Sequence, residues 1–72
     1  MKPVLAKRLY ELRKEKHLRQ EDVAKALDIA TLTYQRYEYG EREPVASLLC
    51  AMADFYKVSA DYLLGRSEKR KK

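Results

Sequence analysis

Residues 18–40 read LRQEDVAKALDIATLTYQRYEYG, and this stretch decides the fold. Its apolar residues recur with the period of two short amphipathic helices, which are separated by a break at residues 28–30. Acidic residues in the first turn of the first helix suit the positive end of its dipole, and Gly40 is typical of a helix end. The stretch therefore predicts two helices joined by a tight turn.

The rest of the chain continues an all-α pattern. Leu5, Leu9 and Leu12 have the i, i+4, i+7 spacing of one helix stripe. Ser59 is a good N-cap for a last short helix, and Gly65 would end it. We predict helices spanning about residues 4–16, 20–28, 31–39, 46–56 and 60–64. They form one domain, residues 1–65, followed by a basic C-terminal tail, residues 66–72.

The composition suits one small domain of short helices, because 46% of the 72 residues are hydrophobic and 38% are charged. The single cysteine, Cys50, excludes a disulfide scaffold and fits a reducing, cytoplasmic setting. No apolar run approaches the length of a membrane span, and the N-terminus lacks the features of a secretory signal. We therefore expect a cytoplasmic protein with no membrane partner.

Most of the net charge of +5 comes from the tail, where residues 66–72 carry five positive charges and one negative charge. A basic balance favours anionic partners such as nucleic acid, acidic membrane or acidic protein. Two alternatives apply to the tail: a solvated, disordered end that aids solubility, or a segment that binds acidic lipid.

The third predicted helix has two different sides. At about 100° per residue, Tyr34 and Tyr37 fall together with Glu38, and the two tyrosines are natural core anchors. The other side carries an aliphatic, an amide, a guanidinium and a phenol, with a threonine at its start: Leu32, Gln35, Arg36, Tyr39 and Thr31. This second side is predicted to face outward.

That mixture is useful in the major groove of DNA. Arg36 can donate two bonds to a guanine edge, Gln35 can pair with adenine, and Leu32 can contact a thymine methyl. Leu32 has the alternative of being a singly exposed apolar residue, which is common on any surface. Gln20 and Arg42 are candidates for phosphate contacts, with an ordinary first-turn residue and a solvated loop charge as their alternatives.

Three segments, RLYELRKEKHLRQEDVAKAL, YQRYEYGEREP and VSADYLLG, together resemble the helix-turn-helix family of phage Cro and repressor proteins. These are the XRE-type regulators of bacteria and phages. The resemblance runs from about Leu5 to Gly65. It implies a five-helix, lambda-repressor-like DNA-binding domain, with the third helix in the major groove and the start of the second helix on the phosphate backbone.

The resemblance also implies roles for individual residues. The base-contacting residues would be Thr31, Leu32, Gln35 and Arg36, and the phosphate-contacting residues would be Gln20, Tyr39 and Arg42. Arg13 and Glu38 hold the positions of an ion pair that often joins the first and third helices of the family. We interpret that pair as structural.

This sequence departs from the family pattern in three places. Asp28 replaces the usual turn glycine, although aspartate tolerates a left-handed backbone better than most residues. Ala30 replaces the usual serine or threonine cap, whose hydrogen bond contributes roughly 1 kcal/mol. Residues 28–43 contain four acids and two bases, so non-specific attraction to DNA would have to come from the tail and the first helix.

Catalysis has little support in the sequence. His17 has no serine near it, and Cys50 is expected close to the buried face of the fourth helix as a small hydrophobe. One histidine and one cysteine cannot form a zinc site by themselves, so we expect no enzyme, no metal and no cofactor. The tyrosines are expected at or near the core: Tyr10, Tyr34, Tyr37, Tyr56 and Tyr62.

Two functions from different classes remain. The first is a small transcriptional regulator, a nucleoid-associated repressor in the simplest case, which binds double-stranded DNA as a homodimer on an inverted repeat. Its dimer surface would be the last helix, with Tyr62 and Leu63, although Leu63 and Leu64 could equally be buried within one subunit. The second is an antitoxin-like protein-interaction module on the same scaffold, which Leu32 and the acidic residues favour.

Overall fold

The computed structural model describes residues 3–71, and residues 1, 2 and 72 of the predicted domain and tail lie outside this range. The described residues form five α-helices and no strand: α1 Pro3–Glu15, α2 Gln20–Leu27, α3 Thr31–Glu38, α4 Ala46–Tyr56 and α5 Ala60–Leu64. The all-α, five-helix prediction is confirmed, and each helix begins and ends within about one residue of its predicted position. Across residues 3–71, no helix has the length and apolarity to cross a membrane.

One core is built from the apolar stripes of all five helices. The largest fully buried side chains are Leu9, Val23, Tyr34, Met52 and Leu63, one from each helix. Each short helix buries only one stripe, so none of them would be stable alone, and they depend on mutual packing. The helices therefore fix one another's orientation around this core.

All five helices end in the same way. Just beyond each last turn, one residue adopts a left-handed backbone conformation: His17, Asp28, Gly40, Lys57 and Gly65. At the end of α2, Asp28 has φ 61° and ψ 44°, and the next amide, of Ile29, donates to the carbonyl of Ala24 at 3.0 Å. Asp28 therefore adopts the left-handed conformation of the turn, at the position where the family usually has glycine.

Two core expectations are wrong. Cys50 is exposed. The buried face of α4 is formed by Met52, Ala53 and Tyr56, and position 50 lies about 100° or more around the helix from the centre of that face. Tyr10 is 49% exposed, because it lies off the leucine stripe of α1. The ring of Tyr10 instead lies 5.5 Å from the guanidinium carbon of Arg13.

Residues 67–70 of the tail are bound to the helices, although most of them stay exposed to solvent. Arg70 donates two hydrogen bonds to the carboxylate of Glu15, at 2.9 and 2.7 Å, and its own carbonyl accepts from the amide of Ser59 at 2.7 Å. Arg8 donates to the carbonyl of Ser67 at 3.0 Å. A disordered end is therefore the wrong description for residues 67–70.

Two residues of the predicted dimer surface are buried within the subunit. Leu63 is completely buried within the subunit, and Tyr62 is only 7% exposed because Arg8 and Arg70 both lie against its ring. Leu64 is 44% exposed and is the one large apolar side chain that α5 presents to solvent. The reason is packing within the subunit: Tyr62 and Leu63 point inward from α5 and complete the core.

Candidate nucleic-acid interface

The inner side of α3 is held firmly against the core. Tyr34 is completely buried, Tyr37 is nearly so, and both occupy the core positions that the sequence predicted. The hydroxyl groups of Tyr34 and Tyr56 lie 2.7 Å apart. Burial raises the pKa of Tyr34 and raises the pKa of Tyr56 to about 12, so both phenols stay protonated at neutral pH. This anchoring makes α3 a rigid platform.

The outer side of α3 is open. Leu32 is 58% exposed, Tyr39 is 61% exposed, and Arg36 is also exposed. The guanidinium of Arg36 makes no hydrogen bond or ion pair with any residue in the range 3–71, so its donors are available to an external acceptor. Arg42, past the end of the helix, is exposed as well. The structure therefore brings the proposed reader and phosphate residues at 32, 36, 39 and 42 to solvent.

Thr31 and Gln35 lie at the edge of this outer side and are half-buried. The amide nitrogen of Gln35 donates to the side-chain oxygen of Gln20 at 3.0 Å, and the amide nitrogen of Gln20 donates to Glu38 at 3.2 Å. Gln20, at the first position of α2, is thus tied to α3 rather than standing as an isolated first-turn residue. The two helices of the turn share one polar network.

An ion pair lies beneath this network. Arg13 Nε is 2.6 Å from Glu38 Oε2, Arg13 Nη2 is 3.1 Å from Oε1, and only 1% of the Glu38 side chain is exposed. The hydrogen bond that Arg13 donates to Glu38 raises the pKa of Arg13 despite its burial. Arg13 also donates to the carbonyl of Leu18 at 2.9 Å, so it joins α1, the following turn and α3. The pair lies at the positions that the resemblance indicated.

The start of α3 lacks a side-chain cap, as Ala30 predicts, and its backbone is extended at that residue. The start of α2 is better supplied, because the amide of Arg19 donates to the carboxylate of Asp22 at 2.9 Å. A cleft opens beside this point and is lined by Arg13, Lys14, His17, Leu18, Arg19 and Gln20.

Sequence reasoning did not single out the basic residues of this cleft. Lys14, His17 and Arg19 are exposed and lie on both sides of the turn that leads to Gln20. The sequence contained this signal, since the three residues lie within the six positions that directly precede the predicted phosphate contact. The structure also removes one acid from the surface, because Glu38 is buried against Arg13. The candidate interface is therefore less acidic than the count over residues 28–43 implied.

Comparisons with known proteins agree with this geometry. A family model described as "Helix-turn-helix" matches residues 9–63. The HTH-type transcriptional regulator ImmR of Bacillus subtilis (strain 168) is 38% identical over 68 residues, covering 94% of this chain and 54% of that protein. The HTH-type transcriptional regulator AnsR of the same organism is 45% identical over 63 residues, covering 88% of this chain and 54% of that protein. The chain spans about half the length of these relatives.

Proposed function

Because the chain belongs to the XRE-type helix-turn-helix family, we propose that it binds double-stranded DNA sequence-specifically and regulates transcription. The outer side of α3 carries this proposal. Leu32, Arg36 and Tyr39 are exposed on a helix whose opposite side is fixed in the core, which is the arrangement that a groove-reading helix requires. A binding role of this kind needs no catalytic group, and we propose that the protein acts in the cytoplasm, at the nucleoid.

Each residue has a separate task in this proposal. Arg36 offers two donors to a guanine edge, and Leu32 and Thr31 offer methyl groups to thymine. Tyr39, Arg42 and the Gln20 end of α2 contact phosphates and set the position of α3 in the groove. Lys14, which is exposed and lines the cleft beside Gln20, adds positive charge on the same flank. The sequence-independent part of the affinity would then fall as salt rises.

We further propose that two copies bind an inverted repeat, because one short helix reads only a few base pairs. Leu63 is buried, so the contact between copies would use the exposed apolar residues Val4, Val45 and Leu64. Leu64 lines an apolar cleft together with Leu5, Pro44 and Leu49, beside Glu43, and Val4 and Val45 are chain neighbours of two of these lining residues. Repression by occlusion of the promoter is the simplest outcome of such binding.

Selection from a random pool of DNA duplexes at moderate salt tests the proposal. We expect an enriched motif with two-fold symmetry. Arg36→Ala should weaken binding to that motif by about 1–3 kcal/mol and relax the preference at one position of each half-site. Arg66→Ala is the matched control, since it removes the same charge from the far end of α5, where Arg66 lies 4.0 Å from Asp61.

A second function has its own support. An antitoxin-like module would bind a partner protein through the same surface, and the exposed Leu32 together with exposed Glu41 and Glu43 suits a protein partner. The two functions differ in the selection experiment. No enriched DNA motif, or an enriched motif that Arg36→Ala leaves unchanged, would favour the interaction module.

A further inference from the structure

A line of side-chain hydrogen bonds runs from the interior to the edge of the exposed side of α3. It begins at Arg13, whose guanidinium donates to both oxygens of Glu38. Gln20 donates to Glu38 Oε1 at 3.2 Å, and Gln35 donates to Gln20 Oε1 at 3.0 Å. The line therefore ends at a half-buried amide beside the exposed residues Leu32 and Arg36.

The chemistry of Glu38 fixes the direction of every bond in this line. An ionised carboxylate can only accept hydrogen bonds, so Gln20 must turn its NH₂ group toward Glu38. The oxygen of Gln20 then points toward Gln35, and Gln35 must turn its own NH₂ group toward that oxygen. Reversing either amide would place two acceptors, or two donors, face to face in a partly desolvated position, which costs the energy of an unmade bond.

One atom of Gln35 is consequently left over in a defined place. Its Oε1 accepts no hydrogen bond from any residue between 3 and 71, whereas its nitrogen donates to Gln20. A free surface glutamine can present either end to a base, whereas the nitrogen of this one is engaged with Gln20 and its oxygen remains available as an acceptor. In the major groove, adenine and cytosine present an exocyclic amino donor, and guanine and thymine present an oxygen at the same level.

We propose that Gln35 is a specificity-determining residue whose outward carbonyl oxygen selects adenine or cytosine against guanine or thymine, and that Gln20 and Glu38 are its positioning residues. This inference rests on the proposed binding of duplex DNA and adds to it the hydrogen-bond polarity of one contact. Glu38 acts at a distance of two amides from the base, through bonds and not through contact with DNA.

Competition binding with the selected motif tests the proposal. A set of duplexes carries each of the four base pairs in turn at every position of one half-site. With the wild-type chain, one position should prefer adenine or cytosine over guanine or thymine by about ten-fold. Gln35→Met should abolish the preference at that position alone. Gln35→Glu keeps an acceptor oxygen there, so the preference should persist at a lower overall affinity.

Gln20→Met tests the positioning role. Methionine matches the length of glutamine but cannot hold the amide of Gln35 in one orientation. Overall affinity should fall similarly for all duplexes, because a phosphate contact is lost, while the preference at the Gln35 position should shrink to about two-fold or less. The preference at the position read by Arg36 is the internal control and should not change. Thermal unfolding of each variant checks that the fold is intact.

The outcomes separate this inference from the proposed function. A wild-type chain that enriches no motif contradicts DNA reading as a whole. A motif whose Arg36 position responds to Arg36→Ala, but in which the two Gln35 variants alter no position, overturns the inference alone. Reversal of the preference in Gln35→Glu, or an unchanged preference in Gln20→Met, overturns the assigned polarity.

Discussion

Two arginine–carboxylate pairs in this chain have nearly the same geometry and opposite surroundings. At the base of α3, Arg13 meets Glu38 at 2.6 and 3.1 Å, and their side chains are 11% and 1% exposed. At the end of the tail, Arg70 meets Glu15 at 2.9 and 2.7 Å, and their side chains are 45% and 52% exposed. Each is a two-bond contact between a guanidinium and a carboxylate.

The comparison shows that burial, rather than hydrogen-bond geometry, decides what such a pair does. In the exposed pair, the partner raises the pKa of Arg70 and lowers the pKa of Glu15, yet water would solvate either group if the pair opened. In the buried pair, neither charge has a replacement partner of equal quality, so the pair must stay closed whenever the domain is folded. The exposed pair of Arg70 and Glu15 holds the tail against α1, and the buried pair of Arg13 and Glu38 fixes the position of α3.

The comparison also shows where the useful positive charge lies. The tail supplies most of the net charge, but Arg70 is paired with Glu15 and Arg66 lies near Asp61. Arg36, a single base on a helix with an acidic neighbourhood, keeps all of its donors free within the described residues. Counting charges along the sequence therefore overestimates the tail as a docking element and underestimates α3.

The largest expected effect comes from breaking the buried pair. Arg13→Met should lower the free energy of unfolding by about 3–5 kcal/mol, because it leaves the Glu38 carboxylate desolvated with Gln20 as its remaining donor. It also removes the bond to the carbonyl of Leu18. Urea unfolding followed by circular dichroism measures the change. The double variant Arg13→Met with Glu38→Leu should recover part of the loss, and a loss that simply doubles would contradict this account.

Much of the helical fold can be predicted from the sequence, and particular residues show why. Helix ends follow from local chemistry, so Ser59 as a cap and Gly65 as an end predict α5 without any knowledge of packing. The inner tyrosines of α3 follow from helical periodicity alone. The buried pair of Arg13 and Glu38 does not, because residues 25 positions apart meet only through the fold; it came from the family resemblance.

Other features depend on contacts that no local pattern encodes. The exposure of Tyr10 and the burial of Leu63 are set by which neighbour covers each helix face, and the bound tail depends on a carboxylate 55 positions earlier in the chain. The orientation of the Gln35 amide depends on a line of three partners, of which Gln20 and Arg13 lie in two other helices. The sequence could name Gln35 as a candidate reader, but only the assembled network assigns its polarity.

The next largest effect on the free energy of unfolding is expected from alanine at the glycines that follow α3 and α5, Gly40 and Gly65. A Cβ at Gly65 would lie 2.7 Å from Val4 Cγ1, whereas a Cβ at Gly40 would have its nearest neighbour, Ala6 Cβ, at 3.7 Å. Both residues have positive φ, 76° at Gly40 and 81° at Gly65, so alanine is strained at either position. We expect Gly40→Ala to cost about 1–2 kcal/mol from backbone strain and Gly65→Ala about 2–3 kcal/mol because a steric clash is added.

Paired urea unfolding curves of the two glycine variants measure the difference directly. The tail begins directly after Gly65, so a larger cost at Gly65 means that the close approach of α5 to α1 is a fixed part of the domain, although the pair of Arg70 and Glu15 is exposed. Equal costs for the two variants would show that Val4 moves aside, and the tail region would then be as adaptable as its exposure suggests.

Alkaline pH should lower the stability of the domain through Tyr56 of α4, whose hydroxyl lies 2.7 Å from that of Tyr34 in α3. Burial raises the pKa of Tyr56 to about 12, above the value of about 10 expected in the unfolded chain. The folded state therefore holds this proton more tightly, and the stabilisation is complete below pH 10 and is lost as pH rises through 12. The loss from Tyr56 alone should reach about 2 kcal/mol at pH 12. Urea unfolding at a series of pH values measures it.

Tyr56→Phe is the control for this titration. It removes the titrating phenol and the 2.7 Å contact with Tyr34, so it should be less stable at neutral pH and fall less steeply between pH 10 and 12. The titration of surface lysines is common to both proteins and cancels in the comparison. Parallel curves for the two proteins would contradict the assignment of the alkaline loss to Tyr56.

The smallest effect on global stability should come from the exposed pair, and its readout is local. Glu15→Gln keeps the shape of the side chain and removes its charge, so the unfolding midpoint should barely change. The Ser59 amide, which donates to the Arg70 carbonyl, should exchange its hydrogen faster.

Because Arg70 lowers the pKa of Glu15, the pair of Arg70 and Glu15 is intact above the usual glutamate range and opens only as pH falls through the lowered value. Glu68→Gln, at a carboxylate that contacts Arg8 and not Arg70, should leave exchange at Ser59 unchanged. If Glu15→Gln instead lowers stability as much as Arg13→Met does, burial is not what separates the two pairs, and the role assigned to the tail must be revised before that of α3.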